Sequence, residues 1–208
     1  MKVKSWSLAQ SLAQSLSARR TDRYGRSPHP LAPGWSAGSR TGAGAVAPTA
    51  DSVVLVITIE LPVRRPVEEF QREVLGRLPE FWDGRDVQHL HHPVWFRQFG
   101  SGAQAARGKD GALCAYLLAC VTSEVAYVHV VATLPEARGT SLARRMYENV
   151  FHAASQAGCP AVEAATTLEN TGSIAFHERL GFRASLVPDY AGPGQDRVHF
   201  VRRTPTIS

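Results

Sequence analysis

Residues 125 to 157 hold the feature that most restricts the architecture. A β-branched run, Val125 to Thr133, is stopped by Pro135 and passes through the small-residue turn Arg138-Gly139-Thr140-Ser141. It then enters a stretch that places Ala143, Met146, Tyr147, Val150 and Ala154 on one helical face, closed by Gly158 and Pro160. A strand that turns tightly into a helix aims several unpaired backbone N–H groups into one space, and the helix dipole adds partial positive charge there. Such a turn suits a pyrophosphate. It carries neither the G-x-x-x-x-G-K-[ST] loop nor the G-x-G-x-x-G fingerprint, so both nucleotide-binding classes are excluded. Taken alone, simple capping by Ser141 explains the same residues.

The flanking segments extend the pattern. Val53 to Ile57 reads as a strand, and Pro66 opens a helix whose apolar face is Val67, Phe70, Val74 and Leu78, ending at Pro79. Residues 80 to 100 read as irregular. Gln104 to Arg107 and Ala112 to Val121 form a hairpin around Lys109-Asp110-Gly111. After the central helix come a strand (Val162 to Thr166), a short helix (Thr171 to Leu180) closed by Gly181, and two strands, Phe182 to Val187 and Arg197 to Arg202. The order β-α-βββ-α-β-α-ββ implies an α/β (α+β) fold with one mixed sheet flanked by helices.

Charge divides along the chain. The whole carries +5, yet residues 1 to 50 hold seven basic groups against Asp22 alone, leaving the other 158 residues at −1. Residues 1–50 are rich in Ser, Ala, Gly and Pro and poor in apolar groups, a composition that cannot offset its ordering entropy. They read as a disordered basic leader ahead of a folded domain at 51–208. No secretory h-region is present, although Leu8, Leu12 and Leu16 among Ser and Arg leave an organellar transit peptide as the alternative to a cytoplasmic protein. The near-neutral body argues against nucleic acid as a partner. The longest apolar run, Ala112 to Val121, is far shorter than a membrane span requires. Cys114, Cys120 and Cys159 form no C-x-x-C pair and fit a reducing compartment.

Two motifs together resemble the GNAT acetyltransferase superfamily. Arg138-x-x-Ser141-x-Ala143 after a strand is similar to its [Q/R]-x-x-G-x-[G/A] turn, with Ser141 in the second glycine's place. Asn170-x-x-Ser173-x-x-x-His177-x-x-x-Gly181-Phe182 is similar to its second motif, an Asn followed by a helix with Tyr or His that ends in Leu-Gly-Phe. The resemblance covers about residues 110 to 203. It implies the GNAT fold, a mostly antiparallel sheet of about six or seven strands, and an N-acetyltransferase that uses acetyl-CoA as cosubstrate and no metal. Diphosphate contacts would come from Arg138, Gly139, Thr140, Ser141, Leu142 and Ala143. The pantetheine would pair with Val131, Ala132 and Thr133, and Asn170 would bind the CoA arm. The implied acceptor is a primary amine of a small molecule, attacked directly in a ternary complex. A protein N-acetyltransferase and a non-catalytic acyl-CoA-binding module are the alternatives, and a homodimer is compatible with the resemblance.

Acetyl transfer needs a neutral amine, a stabilised oxyanion and a proton for the thiolate. Strict alternation along the strand puts Tyr127, His129, Val131 and Thr133 on one face and Ala126, Val128, Val130 and Ala132 on the other. His129 is the candidate base, because imidazole titrates near neutrality; the other reading is a half-buried histidine bonded to a carbonyl. In the arylalkylamine branch of the resembling family, histidines at the places of Tyr127 and His129 serve the amine. His177, where the family often has tyrosine, is the candidate acid; the other reading is packing along its helix. Tyr190 is a second candidate acid, in a loop that also reads as a pocket wall. His89-x-His91-His92 lacks metal-site spacing and reads with Trp82, Trp95 and Phe96 as a wall over the acceptor. Cys114 and Cys120 sit in the apolar run, which disfavours a covalent acyl-cysteine route.

Overall fold

A computed structural model describes residues 57–205. The basic leader, most of the Val53 to Ile57 run and residues 206–208 lie outside the described residues. Seven strands form one sheet in the order β1-β2-β3-β4-β5-β7-β6. They are β1 (Thr58–Glu60), β2 (Gln104–Arg107), β3 (Leu113–Val121), β4 (Ala126–Thr133), β5 (Ala161–Thr166), β6 (Arg183–Val187) and β7 (Arg197–Arg203). Every neighbouring pair is antiparallel except β4 and β5. Helices α4 (Leu142–Gln156) and α5 (Thr171–Arg179) pack on one side of the sheet, where Met146, Tyr147, Val150, Leu180 and Phe200 form one buried cluster. On the other side α1 (Val67–Gly76), α2 (Leu78–Trp82) and α3 (Pro93–Phe99) bury Phe70, Val74, Phe81, Phe96 and Phe99.

Most of the expected elements are present within a residue or two, and the differences have local causes. Pro66 (φ −51, ψ 142) is the residue before α1 rather than its first turn. The helix stops at Arg77, so Pro79 opens the separate α2 instead of ending the first helix, consistent with proline's tolerance of a first helical turn. The segment 80–100, read as irregular, contains a 3-10 turn at Gln88–His91 and helix α3, which Pro93 starts and whose first turn the His92 ring caps through Val94 N–H. Helices this short show too few repeats of the apolar face to be seen in sequence. Their order comes from tertiary contacts. His91, 1% exposed, donates from Nδ1 to the Val87 carbonyl (2.7 Å) and accepts from the Tyr116 hydroxyl (2.6 Å), which in turn accepts from the Trp82 indole (2.9 Å). Three side chains thus fasten the segment to β3.

Strand β4 departs from strict alternation. Leu118 faces Val130 while the next residue, Ala119, faces Val128, so His129 is an extra residue in a bulge. The bulge reverses the faces. Ala126 and Val128 join the α4 side, whereas Val130 and Ala132 join the α1–α3 side, as does Tyr127; Val131 packs toward α4. The expected grouping of Tyr127 with Val131, and of Ala126 with Val130, is therefore corrected.

An ion pair anchors β1 and α1 to this frame. Arg107, with 7% of its side chain exposed, donates to both carboxylate oxygens of Glu73 (2.6 and 2.7 Å) and to the Gly111 carbonyl (3.1 Å), with Glu60 in looser contact at 3.3 Å. Arg107 holds the Glu73 carboxyl below its usual range. This contribution is complete above the unfolded carboxylate pKa of about 4.5 and is lost as pH falls below it. Replacing Glu73 by Ala leaves a buried cation under-compensated, at a cost of about 3 kcal/mol. In a domain of this size that lowers Tm by on the order of 10 °C, measurable by calorimetry.

Candidate active site

The sheet opens where its one parallel pair ends. β4 and β5 are in register over Ala126↔Val162, Tyr127↔Glu163 and Val128↔Ala164, and no pairing follows. Residues 129–133 of β4 therefore have no strand partner on the β5 side. The bulge at His129 lies at this point of parting. A groove of about 880 Å³ runs through the gap. Its lining includes Trp82, Arg85 and Leu90, Val128 to Thr133, Ala164 to Thr167, and Arg138, Ser141 to Arg144 and Asn170.

Where the groove meets the start of α4, the turn has the shape its sequence suggested. A 3-10 turn at Pro135–Ala137 leads to Gly139 (φ 79) and Ser141 (φ 60), and α4 starts at Leu142. Left-handed backbone is easy for glycine and uncommon for serine, which is the physical sense of a glycine at the place of Ser141. The Ser141 side chain does not cap the helix, so the capping explanation of this residue does not hold. Thr140 donates to the Ala137 carbonyl (2.7 Å) and does not line the groove. Arg138 is half exposed and makes only long contacts, to the carbonyls of Thr133 and Phe81 at 3.4 Å and to Asp83 at 3.7 Å. Its guanidinium can turn toward an anion. Asn170 lines the groove, but its side chain is engaged: Oδ1 caps α5 through Ser173 N–H (3.2 Å), and Nδ2 donates to Thr166 (3.0 Å).

The expected acid–base histidines are placed differently from their assigned roles. His129 does line the groove, but its Nε2–H donates to the Leu90 carbonyl (2.9 Å) and its ring stacks on Phe99 and leans on Trp95. Burial lowers its pKa to about 4, so it is neutral near pH 7 and is a far weaker base than free imidazole. His177 is 4% exposed. Its Nδ1–H donates to the Ser173 carbonyl (2.8 Å), its Nε2 accepts from the Tyr147 hydroxyl (2.7 Å), and its ring stacks on Phe200. Burial again sets a pKa of about 4. His177 lines the groove together with Tyr147 and Ser173, the two residues that hold its ring. Tyr190 lies on the opposite face, against the His199 ring, and its hydroxyl shares a hydrogen bond with that of Tyr127.

The three histidines of the 89–92 cluster do not converge. His91 points into the core and His92 caps α3. Among the described residues no three His, Cys, Asp or Glu side chains are arranged to hold a metal ion. No helix among the described residues is long and apolar enough to cross a membrane. Cys114 and Cys120 are half-buried, Cys159 is buried, and none lines the groove.

Comparison with known proteins gives this geometry its family. The model of the acetyltransferase (GNAT) family matches residues 67–182. The chain belongs to the acetyltransferase (GNAT) family. Aminoglycoside N(6')-acetyltransferase type 1 of Serratia marcescens is 32% identical over 108 residues, which span 48% of this chain and 67% of that one. The ribosomal-protein-S18-alanine N-acetyltransferase from Escherichia coli shares the fold with a TM-score of 0.54 at 15% identity, over 73% of this chain and 96% of that one. An aminoglycoside 6'-N-acetyltransferase complexed with coenzyme A does so with a TM-score of 0.53 at 16% identity, over 73% and 99%. As a GNAT enzyme the chain is an acetyl-CoA-dependent N-acetyltransferase.

Several contacts in and around this GNAT site were not readable in the sequence. Tyr147 entered only as a core position of α4, yet it closes the His177 hydrogen bond. Glu163 and His199 went unmentioned, although alternation along their strands marks both as facing away from the apolar side. Their meeting depends on the pairing of β5 with β7.

Burial lowers the pKa values of His91, His129 and His177 alike. For each, the unfolded chain binds the proton first, so stability is complete above about pH 6.5 and is lost below it, for His129 and His177 as pH falls toward about 4. His177→Gln removes one of the three contributions. Its Tm should fall less steeply than the wild type's between these two limits, as read by circular dichroism melts across the range.

Proposed function

We propose that the enzyme transfers the acetyl group of acetyl-CoA to a primary amine of a small molecule, by direct attack within a ternary complex. The observation that carries this reading is the groove through the parted strands, because it runs along main chain that β5 leaves unpaired and reaches the turn into α4. There the diphosphate would meet the first-turn amides of α4, the glycine-like turn at Gly139 to Ser141, and Arg138. Leu142 and Ala143 line the same part of the groove, and Thr140 supports it through the turn. The pantetheine arm would run along Val131, Ala132 and Thr133, taking the hydrogen bonds that β5 no longer provides. Main-chain N–H groups at the bulge would stabilise the tetrahedral oxyanion. Asn170 would shape this wall through the α5 cap.

The acceptor would enter along the side lined by His89, Leu90 and His129. In this reading His129 is a neutral wall of the acceptor site, and its loss acts through positioning. Tyr190 stays a candidate acid through the contact of its hydroxyl with that of Tyr127, while neither residue lines the groove. The cysteines' absence from the groove lining supports direct attack over an acyl-cysteine intermediate.

Thiol release with acetyl-CoA and four amines, 2-phenylethylamine, spermidine, kanamycin and an alanine-terminated peptide, tests the reading. Turnover with at least one is expected, and failure of acetyl-CoA to bind by calorimetry would overturn it. Arg138→Gln should weaken acetyl-CoA binding by roughly tenfold, the loss of one charge-assisted hydrogen bond, while leaving Tm within about 2 °C because this side chain is half exposed.

A further inference from the structure

An amine that attacks a thioester must first lose its extra proton. The group that takes it has to stand in the groove, and apart from arginines the titratable side chains of the lining are His89, His129, Tyr147, Glu169 and His177. Burial disposes of three. His129 and His177 are lowered to about 4, and the Tyr147 phenol, held against His177 at 2.7 Å, is pushed far above its ordinary range. Glu169 follows the end of β5 at Thr166 and precedes the Asn170 cap of α5, so it lies farther along the groove than the bulge at His129. His89 remains.

The backbone around His89 is pinned beside the parting strands. The Leu90 carbonyl accepts from His129 Nε2 at 2.9 Å, and the His89 carbonyl accepts from the Trp95 indole at 3.2 Å. Trp95 in turn leans on the His129 ring, with 4.9 Å between centroids. These contacts tie the 3-10 turn to the bulge where β4 leaves β5. The His89 side chain, by contrast, is exposed and makes no hydrogen bond or ion pair among the described residues. It lies close enough to His129 and His91 for a charge on it to disfavour theirs. A free imidazole on a fixed backbone, beside unpaired main chain, is suited to take a proton from an ammonium.

We propose that His89 receives a proton from the acceptor's ammonium group and releases it to solvent. This deepens the proposed function and rests on it. The ammonium N–H bond breaks as an N–H bond forms on the unprotonated ring nitrogen of His89, and the freed lone pair attacks the thioester carbonyl carbon. The C–N bond forms, the C–S bond breaks, and the sulfur leaves with the electron pair. A second proton from the same nitrogen passes to the thiolate, which gives the amide and the CoA thiol. His129 stays neutral throughout, because a positive His89 nearby makes a second charge still less favourable. Its task is to hold Leu90, and with it the turn that carries the base.

The test uses His89→Ala and His89→Gln with whichever of the four amines the wild type acetylates fastest. Both variants should bind acetyl-CoA within twofold of wild type and melt within about 2 °C of it, because the altered side chain is exposed. Each should lose roughly 100-fold in kcat, with KM changed less than threefold. Added imidazole should restore the His89→Ala rate by at least threefold, since it can enter the vacated space, and should leave the wild-type rate unchanged. A merely structural role of His89 would not respond to imidazole. A kcat loss below tenfold in either variant, a loss carried by KM instead, or a His89→Ala rate that imidazole raises by less than threefold overturns the proton-acceptor role. Failure of the wild type to bind acetyl-CoA, or to acetylate any of the four amines, instead overturns the underlying reading, and is seen before either variant is assayed.

Discussion

The rest of the site depends on the separation of β4 from β5. Two parallel neighbours that stayed in register would satisfy each other's backbone groups and leave a closed sheet. Here the register ends at Val128↔Ala164, and the extra residue His129 turns the remaining length of β4. A bulge increases local twist and bends its strand. Unpaired backbone donors inside a protein are costly unless water or a ligand meets them. An extended, amide-bearing ligand can replace the missing strand, which converts a structural cost into a binding surface.

The two faces of the opened sheet are held by different means. On the α4–α5 side, apolar packing dominates, and the buried histidine there is neutral and fully hydrogen bonded between Tyr147 and Ser173. On the α1–α3 side, short helices are fastened by polar contacts, the Trp82–Tyr116–His91 chain and the Arg107–Glu73 pair. Elements with few apolar repeats need such specific anchors. The same construction lets the segment between Trp82 and Leu90 line the groove while its neighbours remain fixed.

Legibility in the sequence followed physical range. Long amphipathic or β-branched segments were readable, as was the turn into α4, because its constraints are local: a helix start, a left-handed residue, small side chains. The family motifs fall on the turn into α4 and on α5, segments readable for the same reason. The short helices of 80–100 were not readable, since neighbours rather than propensity order them. The reversal of faces at His129 was equally hidden. No residue type marks that bulge, which exists only relative to β3. Once the alternation shifts, any role inferred from which residues share a face shifts with it.

The histidines show why a residue's chemistry cannot be assigned from its intrinsic pKa. At His129 and His177 the imidazole would titrate near neutrality in water, and that property suggested base and acid roles. Burial removes it, lowering both to about 4, and in each ring one nitrogen is bound to a carbonyl that fixes the neutral tautomer. The Glu163–His199 pair depends on its surroundings in the same way: it forms through a contact between β5 and β7, two strands that the chain connects only after α5 and β6 have intervened. The chemistry at such a position is set by strand order, and a motif that is contiguous in sequence cannot encode it.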